Sequence, residues 1–89
     1  MTITTHLKKF DIMEIDGNLI KNDGHDYLKE VLGFPDYYGK NLDALYDCLC
    51  EIGVETEIIL KNSKEVSKDI IDTFIDAACE NELLTFKYD

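Results

Sequence analysis

Asp43 and Asp47 stand four residues apart in the run Phe34 to Cys50, FPDYYGKNLDALYDCLC, on the side of a short helix opposite its apolar stripe. Carboxylates at i and i+4 leave one face about 5–6 Å apart at Cβ. Such a pair can address one cationic cleft, hold a divalent cation or divide acid–base work. Helix formation does not ask for it, since like charges at this spacing cost an isolated helix roughly 0.2–0.5 kcal/mol. Asp43 has a local use near the helix N-terminus, where the macrodipole favours negative charge, whereas Asp47 lies beyond that reach. Asp47 is therefore the stronger candidate for work outside the helix. Tyr37 and Tyr38 add two rings just ahead of the pair, one expected to be mostly buried and the other available to a partner.

Catalysis by this pair lacks its usual companions. No histidine, serine nucleophile motif or glycine-rich phosphate loop lies near the two aspartates, so no catalytic residue is assigned and the chain does not read as an enzyme. Cys48 and Cys50, one residue apart, lack the spacing of a zinc knuckle, and neither His6 nor His25 is near in sequence. Small buried or half-buried hydrophobes are the better account of these thiols, and no metal or cofactor is expected.

Several elements must hold this run in place. Phe10 to Ile15 (FDIMEI) reads as a first strand running into a turn at Asp16-Gly17-Asn18. Asp23 or Asp26 can start a helix in which Tyr27, Leu28, Val31 and Leu32 recur at helical spacing until Gly33. Pro35 then forces extended geometry at Phe34. Asn41 suits the N-cap of the short helix, whose buried stripe is Leu42, Leu45, Leu49 and Ile52, with Gly53 closing it. Ile58-Ile59-Leu60 is apolar on both faces and reads as a central parallel strand. Asn62 and Ser63 can cap a turn or two around Lys64 to Lys68, and a longer helix from Asp69 to about Glu80 turns Ile70, Ile71, Phe74 and Ala78 inward. Its other side carries Asp69, Asp72, Asp76 and Glu80 as an acidic stripe, which is an ordinary solvated face unless a partner uses it. Leu84, Phe86 and Tyr88 alternate along a closing strand. Fold class is thus α/β, a three-stranded parallel sheet with helical crossovers in the order β-α-α-β-α-α-β.

With 89 residues, 19 acidic against nine basic, the chain carries a formal net charge of -10, and all nine basic residues are Lys. One domain spanning 1–89 with a modest core is expected, residues 1–7 being a candidate flexible extension. Nucleic-acid binding needs a cationic footprint, so this composition argues against it. An acidic surface favours a cationic partner, as well as solubility. No apolar run suits a signal peptide or a membrane span, and the three cysteines cannot all pair within one chain; both features point to the cytoplasm and reduced thiols.

The run PDYYGKNLDALYDCL, Pro35 to Leu49, resembles the P-x-Y-Y-G-x-N-L-D-A-L-W-D-C-L signature of barstar-type ribonuclease inhibitors. Ile15-Asp16-Gly17 and the element order are similar to that family too, so the resemblance covers about residues 8 to 88. It implies a barstar-like fold and an inhibitor: an immunity protein whose acidic helix and preceding loop plug the active site of a small secreted, cationic microbial ribonuclease, with no membrane or nucleic-acid partner.

Carried over residue by residue, Asp47 would enter the phosphate-binding pocket and Asp43 would meet basic residues at its wall. Tyr37 would pack near the catalytic histidine of the enzyme, and Tyr38, Gly39, Asn41 and Leu42 would line the contact surface. Tyr46 stands where the family usually has Trp and keeps an aromatic contact, while Asp76 would contact a basic group at the rim. Gly39 also has a purely conformational use. Lys40, where the family is often acidic or polar, puts a positive charge beside the interface, and Cys50-Glu51-Ile52-Gly53 replaces the usual Thr-Gly-Trp. That altered loop keeps open an alternative, an acidic interaction module of the same fold aimed at a different toxin or a non-nuclease protein.

Overall fold

Alternation along Phe10–Asp16 (β1) sends Ile15 into the core and leaves Ile12 60% exposed, as the two-residue period of a strand requires. The structure, a computed structural model, describes residues 10–89. The expected extension over residues 1–7 lies outside the described residues.

Glu55–Lys61 (β2) is the central strand, flanked by β1 and by Leu84–Tyr88 (β3), all parallel in the order β1-β2-β3. The register stacks Met13, Ile58 and Phe86 on one face, with Ile15, Leu60 and Tyr88 in the next row. Ile12, Glu57 and Thr85, then Glu14, Ile59 and Lys87, share the opposite face. Thr56, Ile58 and Leu60 are buried whereas Glu57 and Ile59 are half-buried, so β2 alternates and is not apolar on both faces. The buried helical side chains pack on the Ile58 face, and the other face presents charge, including the Lys87–Glu57 ion pair at 2.9 Å. Ile58 and Leu60 together mimic a continuous apolar run only because half-buried Ile59 separates them.

The first crossover holds one helix more than the sequence suggests. Asp16-Gly17-Asn18 starts a short helix, Gly17–Asp23 (α1), in which the Asp16 carboxylate accepts from the Asn18 N–H at 2.9 Å. The turn expected there is the N-terminal turn of a helix, because the Asx geometry that builds such a turn also caps a helix. Gly24, at φ 56, separates α1 from His25–Leu32 (α2), and Gly33, at φ 69, ends α2 in the left-handed conformation. The Tyr27 hydroxyl accepts from the Asp16 N–H at 2.9 Å and so ties α2 to the end of β1.

Leu42–Cys50 (α3) follows the Pro35 loop, and Lys68–Glu80 (α4) follows a 3-10 turn at Ser63–Glu65. Ser67, rather than a residue further on, caps α4 by accepting from the Ile70 N–H at 3.4 Å. Phe74, Leu28, Leu45, Leu49, Ile58 and Leu60 are fully buried in one cluster, each such side chain contributing about 1.5–3 kcal/mol. α3 packs against α4, and its Leu45 and Leu49 are buried in the core cluster, which fixes the direction its opposite face points. The architecture is α/β, a three-stranded parallel sheet with helical crossovers. No helix among the described residues is long and apolar enough to cross a membrane.

Candidate functional site

The site begins with the backbone of the loop before α3. The Tyr38 N–H donates to the Pro35 carbonyl at 2.9 Å, closing a turn. Lys40 follows at φ 57, so the left-handed residue of this loop is Lys40 and not Gly39. Gly39 is small for another reason, since a Cβ there would press on the Ala44 methyl at 3.3 Å. Asn41 then starts the helix as expected, its Oδ1 accepting from the Ala44 N–H at 2.7 Å and its Nδ2 donating to the Gly39 carbonyl at 3.3 Å.

The paired tyrosines divide as their environments dictate. Tyr37 is 82% exposed, while Tyr38 is 5% exposed with its ring 4.8 Å from that of Phe34. Burial pushes the Tyr38 phenol up to about 12, with a smaller push from Cys48, so the hydroxyl stays protonated. It meets His25 Nδ1 at 2.6 Å. The ring of Tyr38 therefore belongs to the core, and a partner can meet only the edge that it leaves at the surface.

Asp43 and Asp47 are exposed on the outer face of α3, and among the described residues neither carboxylate makes a hydrogen bond or ion pair. Asp47 lies beside a depression of about 310 Å³ bounded by Tyr37, Tyr38, Gly39, Ala44, Cys48 and Glu51. Its rim is anionic and aromatic. Glu51, the C-cap of α3, extends the acidic series to 43, 47 and 51, and the repeat of four residues could have disclosed it in the sequence. Burial raises the Cys48 thiol pKa first, and the charges of Glu51 and Asp47 add to the shift.

Two other expectations change. Leu42, assigned to the buried stripe, is 36% exposed at the first position of α3, one turn ahead of the buried Leu45. Its exposure is compatible with a contact role. Lys40 does not stand free beside the carboxylates: its Nζ lies 2.7 Å from Asp26 Oδ1, and that bond, followed by the lysine charge, lowers the Asp26 pKa. Ion pairing turns the lysine toward α2.

Tyr46 and Asp76 form a separate group on the α3–α4 side. The Tyr46 phenol pKa is raised chiefly through its interaction with the Cys50 side chain, then by burial and by the charges of Cys50, Glu80 and Asp76. Asp76 is exposed and is not part of the depression. Cys48 and Cys50 are half-buried and Cys79 is exposed, all three as free thiols. Among the described residues, no group of three or more His, Cys, Asp or Glu side chains is placed to hold a metal ion.

Asn81 was silent in the sequence but supports the whole helix. Just past α4, its Nδ2 lies within donor distance of the Leu49, Cys50 and Ile52 carbonyls at 3.1, 3.3 and 3.0 Å. Its two N–H groups are shared among these three carbonyls at and just beyond the end of α3, where helical partners run out; the Leu49 carbonyl also accepts from the Ile52 N–H at 3.3 Å. Only a long-range contact could assign this role, and no local spacing discloses it.

Residues 10–84 match the family model described as Barstar (barnase inhibitor). A Bacillus subtilis (strain 168) protein named "Putative ribonuclease inhibitor YrdF" is 46% identical over 57 residues, which cover 63% of this chain and 62% of that protein. The chain thus spans about 62% of the length of this relative.

Proposed function

This chain belongs to the barstar family, and we propose that it is a cytoplasmic immunity protein that blocks the active site of a small, secreted, cationic microbial ribonuclease. A family described by inhibition of barnase and a relative named as a ribonuclease inhibitor support an inhibitor rather than an enzyme. The observation that carries the mechanism is Asp47, an unpaired carboxylate on a packed helix beside exposed Tyr37.

A ribonuclease active site is a cluster of donors shaped for phosphate, and a carboxylate on a rigid support can take the phosphate position. Asp47 fills that role, with Asp43 one turn away on the wall of the same cleft. Tyr37 supplies apolar area next to the charge, Asn41 and Leu42 extend the contact along the start of α3, and Gly39 lets the partner approach the backbone. Tyr46 and Asp76 form a second patch at the rim. Pairing with the cations of the enzyme relieves the repulsion between Asp43 and Asp47 and leaves the RNA no room.

The test is inhibition: adding the purified chain to barnase during RNA cleavage should stop turnover at about one inhibitor per enzyme. Undiminished cleavage at excess inhibitor would remove barnase as a target. The departure of Cys50-Glu51-Ile52-Gly53 from the family pattern favours one second reading, the same surface directed at a different toxin or a non-nuclease protein. Capture from the source cell followed by identification of the bound protein separates the two.

A further inference from the structure

His25 and Asp26, consecutive in the first turn of α2, each hold a residue of the loop before α3. His25 Nδ1 lies 2.6 Å from the Tyr38 hydroxyl, and Asp26 Oδ1 lies 2.7 Å from Lys40 Nζ. The held residues are two apart and enclose Gly39. Directly outside them stand Tyr37 and Asn41, one exposed ring and one helix cap. Lys40 occupies the left-handed region that side-chain-bearing residues seldom enter, a conformation that persists where surrounding contacts fix it.

We propose that His25 and Asp26 are positioning residues, a two-point latch that holds the loop before α3 in the shape its partner meets. This rests on the inhibitor reading of the Tyr37–Asp47 surface. The latch acts by preorganisation: a loop already ordered loses less conformational freedom on binding, so more of the contact energy appears as affinity. The two points are unequal. The Asp26–Lys40 pair is exposed, with 69% and 54% of the side chains accessible, and exposed pairs are weak. The His25–Tyr38 bond is partly buried, with the Tyr38 ring in the core, so water competes with it less and it carries the larger share. Its polarity suits neutral groups, because burial lowers the His25 pKa against the opposing charge of Asp26.

The experiment compares wild type, His25→Ala, Tyr38→Phe, their double variant, Asp26→Asn and Asp47→Ala. Amide exchange of Tyr38 and binding to barnase are measured for each. Tyr38→Phe keeps the buried ring and removes only the hydroxyl. Each His25 and Tyr38 variant is expected to weaken binding and to speed exchange about tenfold, the double being no worse than either single, with a smaller effect for Asp26→Asn. Asp47→Ala should weaken binding and leave exchange unchanged. Unaltered exchange in the latch variants, or effects of the two singles that multiply to about a hundredfold in the double, would overturn the latch. Faster exchange with unaltered binding would overturn its positioning role. Failure of the wild type to bind barnase would count against the inhibitor reading, and the exchange data would then decide the latch alone, coupled acceleration supporting it and none overturning it.

Discussion

The Asn81 side chain reaches from the end of α4 to the Leu49 carbonyl at the end of α3, 3.1 Å away. Its Oδ1 meanwhile accepts from the Leu83 N–H at 3.0 Å, so one residue joins the site helix, α4 and the approach to β3. Removing it leaves several half-buried polar groups without partners. Asn81→Ala is expected to lower stability by about 2 kcal/mol, read as a reduced midpoint in urea with an unchanged slope. A midpoint equal to that of wild type would show that water replaces the amide without loss.

Gly17 presents a steric rather than a polar constraint. A Cβ at this position would overlap the Asn62 carbonyl, with the Lys61 carbonyl also closer than normal contact. Both are backbone atoms at the end of β2 and cannot rotate aside. Gly17→Ala should therefore cost at least about 2 kcal/mol, toward the upper part of the range for overpacking. Thermal unfolding measures it, and an unchanged midpoint would mean that β1 and β2 separate more freely than their register implies.

Asp89 supplies a pH dependence with a definite sign. Its carboxylate accepts from the Ser63 N–H at 3.0 Å and the Asn62 N–H at 2.9 Å, and these bonds, those to Ser63 foremost, hold its pKa at about 2, below the ordinary 3.8. A depressed carboxylate contributes stability that is present above pH 3.8 and is lost as pH falls toward 2. Asp89→Asn should remove this part of the acid limb, so that the stability difference from wild type shrinks between pH 4 and pH 2. A difference that stays constant across that interval would contradict the assignment.

Charge should govern the speed of association. With a formal net charge of -10, encounter with the proposed cationic ribonuclease should be steered, and steering is worth roughly 10 to 1,000-fold at low salt. Stopped-flow association rates are expected to fall at least about tenfold between low and high ionic strength as the screening length shrinks. A flat rate would argue against steering.

Fold class was legible because its signals are local and periodic. The cap at Asn41 and the stop at Gly33 appear in the structure as the sequence suggests, and the alternation of β3 holds from Leu84 to Lys87 but not at Tyr88, which is 52% exposed. Misreadings arose where one local chemistry serves two structures. Asp16-Gly17-Asn18 suits a turn and a helix start alike, and Ile58-Ile59-Leu60 does not disclose which face of the sheet the helices cover. At the candidate site, the split between Tyr37 and Tyr38 followed from the expectation that adjacent rings diverge. Asn81, His25 and the turning of Lys40 toward Asp26 depend on packing between segments distant in sequence. Glu51 was missed although its spacing from Asp47 repeats that of Asp43.

Calorimetric titration of barnase with wild type and with Asp47→Ala tests the central claim most directly. Loss of this carboxylate should weaken binding by about 2–5 kcal/mol, a scale that comes from charged pairs at such interfaces, barnase with its inhibitor included, and not from this chain. At 1.4 kcal/mol per tenfold this is about 30-fold to several-thousand-fold. Equal affinities for the two proteins would contradict the account, because the carboxylate would then not occupy the cationic site of the enzyme.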